Sequence, residues 1–76
     1  MTNTEVLREK IQESGLKLIY IADKLGIDPR TLALKMNGKY EFKQSEIAVM
    51  TDLIRLTAEE RDRIFFYPLM PRIEAK

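Results

Sequence analysis

Leu18-Ile19-Tyr20-Ile21-Ala22-Asp23-Lys24-Leu25-Gly26-Ile27-Asp28-Pro29-Arg30-Thr31-Leu32-Ala33-Leu34-Lys35-Met36-Asn37 is the stretch on which the fold turns. Leu18, Ile21, Ala22 and Leu25 recur at three- and four-residue spacing, which predicts one inward helix face. Gly26 ends that helix, because glycine enters the left-handed region without a Cβ penalty. Asp28-Pro29 starts the next one: the carboxylate caps exposed amides, and proline is tolerated at the first helical position. Leu32 and Met36 repeat on its inner face, which leaves most of the helix, Leu34 included, exposed until Asn37-Gly38 closes it. Two short helices joined by Gly26-Ile27-Asp28 can pack at a steep angle, a helix-turn-helix over residues 18–37. Ala22 is the small residue where the helices cross, and Ile21, Leu25, Ile27, Leu32 and Met36 are the apolar anchors.

Outside this unit the same reading gives three more helices. Thr2-Asn3-Thr4-Glu5 fits a capping box from Thr2, with Thr4 as a competing cap, before a helix that runs to about Ser14 with Val6, Leu7 and Ile11 on one face and Gly15 after it. Lys39 to Lys43 reads as a polar loop containing Tyr40 and Phe42. Ser45 is the expected cap of a fourth helix through Arg55, with Ile47, Ala48, Met50 or Thr51, and Ile54 inward. Thr57-Ala58-Glu59-Glu60 is a capping box that opens a fifth helix through Ile64, Phe65 and Phe66. Pro68 and Pro71 stop helical continuation, and no stretch has the period of a strand. The expected class is all-α, five helices with a short extended C-terminal tail: a domain over residues 1–66 and a tail over 67–76.

Composition narrows the function. With 76 residues, 45% hydrophobic and 33% charged, the chain reads as one small soluble domain with no segment approaching the ~20 apolar residues of a membrane span. No Cys and no His are present. Disulfides, ordinary zinc sites and the usual Ser-His or Cys-His catalytic pairs are therefore out of reach, and no catalytic residue, metal or cofactor is expected. The pairs Glu59-Glu60 and Asp23/Asp28 read as helix-end and surface charges, not as a metal site. Met1 to Lys10 is polar and lacks the apolar run of a signal peptide, which predicts a cytoplasmic protein. The formal net charge of +1 hides an uneven distribution. Gly15 to Gln44 carries six basic residues against three acidic ones, while the segments on either side are each acidic by one. A modestly basic centre suits a polyanion partner, and a helix-turn-helix offers the outer face of its second helix to a DNA major groove.

Ile21-Ala22-Asp23-Lys24-Leu25-Gly26-Ile27 and Lys35-Met36-Asn37-Gly38-Lys39 resemble the helix-turn-helix proteins of the phage lambda-repressor and Cro type, the small Xre-like regulators of phages and bacteria. Glu41-Phe42-Lys43-Gln44-Ser45-Glu46-Ile47 resembles the sequence that follows the recognition helix in small prophage-encoded members, and the likeness extends from about Val6 to Phe66. The resemblance implies five helices with residues 28–37 as the recognition helix. It places Arg30, Thr31, Ala33, Leu34 and Asn37 where such proteins touch bases. Arg30 suits a bidentate contact to guanine, Ala33 and Leu34 the thymine methyl, and Asn37 a phosphate or base edge; Asn37 also suits a helix C-cap and can serve both purposes, and the alternative for Arg30 and Leu34 is plain surface. Lys17, Lys35, Lys39 and Lys43 are the expected phosphate anchors. Many relatives begin the second helix with Ser or Thr followed by Gln; this chain has Lys17-Leu18 there.

Ile64-Phe65-Phe66-Tyr67-Pro68-Leu69-Met70 concentrates apolar surface at the end of a small domain. Phe66, Tyr67, Leu69 and Met70 are the expected interface of a homodimer, since one recognition helix reads few base pairs and two-fold pairing spans successive half-sites. The alternative is a tail folded onto its own core. The functional expectation is a cytoplasmic Cro-like transcriptional regulator, a repressor type of prophage origin that binds double-stranded DNA. The alternative is a protein-interaction module of antitoxin or antirepressor kind that uses the same fold and the apolar tail.

Overall fold

The computed structural model describes residues 2–66, and all five elements in it are helices: α1 (Thr4–Ser14), α2 (Leu18–Leu25), α3 (Pro29–Met36), α4 (Gln44–Leu53) and α5 (Ala58–Phe65). No strand occurs among the described residues. The expected tail, residues 67–76, lies outside them.

One hydrophobic cluster joins the helices. Leu7 and Ile11 of α1, Ile21 and Ala22 of α2, Leu32 and Met36 of α3, Ile47 and Met50 of α4, and Ile64 and Phe65 of α5 are buried together with Phe42, Ile54 and Leu56. Their three- and four-residue spacings turn each short helix's apolar stripe inward. α2 packs on α3 and α4, α1 on α3 and α5, and α4 on α5. The amide of Asn3 donates to the Ile64 carbonyl at 2.6 Å, and Lys10 Nζ donates to Glu60 Oε2 at 2.6 Å, so the first and last helices close on one another.

Several local readings need correction. The cap of α1 is Asn3, whose side-chain oxygen accepts from the Val6 amide at 3.3 Å; neither Thr2 nor Thr4 serves. Thr4 is already the first helical residue. α4 begins one residue before Ser45, and the Lys43 amide at its N-terminus donates to the Glu46 carboxylate at 2.9 Å. The helix also stops at Leu53, because Arg55 adopts a positive φ of 57°. Leu18 is 42% exposed; as the first residue of α2 it precedes the turn on which Ile21 and Ala22 reach the core. Phe42, expected in a polar loop, is buried edge-to-face on Phe65, with ring centroids 5.4 Å apart and planes at 79°. The Thr57 capping box forms as expected: Glu60 N donates to Thr57 Oγ1 at 3.0 Å, and Thr57 N to Glu60 Oε1 at 2.9 Å.

Candidate nucleic-acid interface

The helix-turn-helix is built as its sequence requires. Gly26 takes φ 76°, its amide donates to the Asp23 carbonyl at 3.1 Å, and the Ile27 amide reaches back to Ala22 at 3.0 Å. This paired closure satisfies two carbonyls that α2 would otherwise leave bare, and it needs a left-handed residue at position 26. Asp28 then caps α3, its Oδ1 accepting from the Thr31 amide at 2.8 Å with Pro29 at the first helical position. That amide, helped by the nearby Arg30 charge, holds the Asp28 carboxyl below its ordinary range. At the far end Gly38, φ 82°, repeats the closure: its amide donates to Lys35 at 3.1 Å and the Lys39 amide to Leu34 at 2.9 Å.

α3 is thereby fixed at both ends with one face outward. Arg30, Ala33 and Asn37 are exposed, at the three- and four-residue spacing of a single stripe, and Leu34 and Thr31 flank it half-buried. Leu34 is therefore more covered than the pattern predicts. Leu32, Lys35 and Met36 face inward. Lys17 lies exposed at the N-cap of α2, and Lys39 and Lys43 are exposed on the loop after α3. Among the described residues, Lys17, Arg30, Lys39 and Lys43 make no ion pair.

Lys35 does not belong with them. Only 6% of it is exposed, and its Nζ meets Glu46 Oε1 at 2.5 Å, 5.9 Å from the Phe42 ring centroid. Its position three residues after Leu32 and one before Met36 places it on the inner side, where Glu46 of α4 meets it. A phosphate anchor must reach solvent, and Lys35 does not, so the expected anchors reduce to the other three lysines. Burial acts to raise the Glu46 carboxyl, but the hydrogen bonds from Lys35 and the Lys43 amide, with the charges of both lysines, outweigh it and hold the group below its ordinary range. The pair ties α3 to α4.

Asn37 carries a partner that the sequence does not announce: the Arg8 guanidinium on α1 donates to its side-chain oxygen across 29 residues. Thr4, one turn before Arg8, lies against Gly38, where an added Cβ would sit 3.9 Å from Thr4 Cγ2. α1 therefore runs alongside the C-terminal end of α3. Nothing within either segment could have revealed this, because the contact exists only once α1 packs on α3.

Two apolar features lie outside the α3 stripe. Leu18, Ile19 and Tyr20 in the first turn of α2 are 42%, 66% and 44% exposed, and the Lys24 ammonium lies 5.4 Å from the Tyr20 ring centroid. Phe66, of the four expected dimer residues, is half-buried against the core and lines a cleft of about 310 Å³ with Gln44, Ile47, Ala48 and Arg61. Tyr67, Leu69 and Met70 lie outside the described residues. No described helix is long and apolar enough to cross a membrane. No protein-family model matches the chain, and no curated protein and no solved structure matches it.

Proposed function

We propose that this chain is a sequence-specific double-stranded DNA-binding protein, a small transcriptional regulator of the lambda-repressor and Cro type that lays α3 in the major groove. The observation that carries this reading is the outward stripe Arg30, Ala33 and Asn37 on a helix closed at both ends by cap and turn. A fixed helix with a cationic, hydrogen-bonding outer face is what base-edge readout needs, because a mobile helix would lose ordering entropy on each binding event. Arg30 supplies two parallel donors to guanine, Ala33 and the edge of Leu34 contact thymine methyl, Thr31 completes the set, and Asn37 ends the stripe with a contact to a phosphate or a base edge. Lys17, Lys39 and Lys43 grip phosphates and set register. α3 has eight residues, enough for only a few base pairs, so a second copy reads the neighbouring half-site.

Fluorescence anisotropy of a labelled random duplex, at low and near-physiological salt, tests the reading with an Arg30→Ala/Lys39→Ala variant beside the parent. Both side chains are exposed, so the variant retains its fold. Salt-sensitive binding by the parent that the variant loses supports the assignment, and selection from random sequences then yields the operator.

A second reading is favoured by the Leu18-Ile19-Tyr20 triplet, which puts apolar surface at the start of α2, where a DNA-binding face would present polar groups. On this reading the same fold holds another protein. Absence of duplex binding by the parent at low salt selects it.

A further inference from the structure

We propose that Arg8, on α1, is a phosphate anchor of the DNA-binding face and that Asn37 is the residue that positions it; the inference rests on the DNA-binding reading above. Among the cations of α1 and α3, Lys10 is engaged by Glu60 and Glu13, and Lys35 is engaged by Glu46. Arg8 is treated differently. Its guanidinium is exposed, makes no ion pair among the described residues, and is held by the side-chain carbonyl of Asn37.

The neutrality of that partner decides the matter. A carboxylate at position 37 would orient the guanidinium equally well but cancel its charge, whereas an amide orients it and leaves the full charge for an anion. Arg8 keeps further N–H donors beyond the one given to Asn37, and the Asn37 side-chain NH2 remains available as a donor beside it. The two together form a fork of donors at the C-terminal end of α3, on the stripe that begins with Arg30. A phosphodiester oxygen of the duplex backbone is the anion whose geometry matches, since guanidinium takes phosphate through paired N–H bonds. Thr4 against Gly38 keeps α1 at this end of α3, so the cation comes from a second helix and fixes the azimuth of α3 in the groove as well as its depth.

Arg8→Gln tests the assignment, because glutamine can still donate to Asn37 but carries no charge. The measurement is the dissociation constant on a random duplex over a sodium chloride series, with the thermal unfolding midpoint measured in parallel. The expected result is an unchanged midpoint, weaker binding at low salt, and a salt slope shallower by about 0.9, the value for one phosphate no longer neutralised. Arg8→Lys restores most of the slope. If Arg8→Gln keeps the parent's affinity and slope, Arg8 is only a tie between helices and the proposal is overturned. If the parent binds with a salt slope and loses it on Arg30→Ala/Lys39→Ala while Arg8→Gln changes nothing, only the role of Arg8 falls. A parent that binds no duplex at low salt overturns both readings.

Discussion

Replacing Glu46 by alanine should cost this domain a large share of its stability. Lys35 and Glu46 side chains are each 7% exposed, and their N–O separation is 2.5 Å. The same Glu46 oxygen also accepts the Lys43 amide at 2.9 Å, at the N-terminus of α4. Alanine at 46 leaves an ammonium among Phe42 and the core with no counter-charge, which typically costs about 3–5 kcal/mol. At about 0.05–0.15 kcal/mol per residue, 76 residues give a total of roughly 4–11 kcal/mol, so this one change brings the fold close to its limit. The double variant Lys35→Met/Glu46→Leu removes both charges and fills the space. Its gain from avoided desolvation opposes about 1–3 kcal/mol for the Lys43 amide left without an acceptor, and it stays within about 2 kcal/mol of the parent. Urea unfolding followed by far-ultraviolet circular dichroism resolves the difference: at about 1 kcal/mol per molar, Glu46→Ala lowers the midpoint by about 3 M or more. A loss below about 1 kcal/mol at unchanged denaturant slope would refute the reasoning. It would mean that the pair is solvated, and Lys35 would rejoin the candidate phosphate anchors.

Three further outcomes follow from local geometry. The Glu46 carboxyl lies below its ordinary 4.5 and the Lys10 ammonium above its ordinary 10.5, so each favours the folded state only while charged. The carboxylate contribution is complete above the unfolded value and lost as pH falls through the folded one; the Lys10 contribution is complete below 10.5 and lost as pH rises above it. With no histidine, thermal unfolding midpoints should stay level from about pH 5 to about pH 8, and a fall inside that window would contradict the assignment. Gly26→Ala should destabilise by about 1–2 kcal/mol from the left-handed backbone alone, since a Cβ at φ +76° meets nothing within 4 Å; a neutral result in denaturant unfolding would deny the strain. Asp28→Asn keeps a capping oxygen but removes a carboxylate beside the proposed phosphate track. It should tighten duplex binding at low salt with little change in unfolding midpoint, and unchanged affinity would place Asp28 away from the DNA.

The helix ends and the turn were the most legible features because they are decided within five or six residues. Gly26, Asp28-Pro29 and the Thr57 box each satisfy orphan amides or carbonyls by contacts inside their own segment, and such chemistry can be read along the chain. Asn3 took the cap of α1 from the threonines on either side through a choice of register that composition leaves open. Lys35 misled for another reason. A lysine near a reading helix is ordinarily solvated, and its burial depends on Glu46, eleven positions away on another helix. Even so, its spacing from Leu32 and Met36 already placed it on the inner side. Phe42 sat among lysines and a glutamate, and only the approach of Phe65 from α5 explains why the loop folds in. Arg8 had no local signal at all.

Sorting the cations by partner, more than counting them, strengthens the case for a face. Lys10 and Lys35 sit in interhelical ion pairs, Arg61 pairs with its neighbour Asp62, and Lys24 lies over Tyr20. Those that make no ion pair among the described residues include Arg30 at the start of α3, Arg8 and Lys39 at its end, and Lys17 and Lys43 on the segments that flank the helix-turn-helix unit, with Arg55 and Arg63 elsewhere on the fold. Like charges set near one another around one helix repel. The repulsion is small in water and becomes a gain when a polyanion replaces the counterions that screen it. Two acids near this helix are placed consistently with that use: Asp28 is committed to capping amides, and Glu46 is committed to Lys35 inside the fold. Lys10, Lys35 and Arg61 are thus held by carboxylates of the fold, while Arg30, Lys39 and the cations beside them are the ones a polyanion would meet at α3.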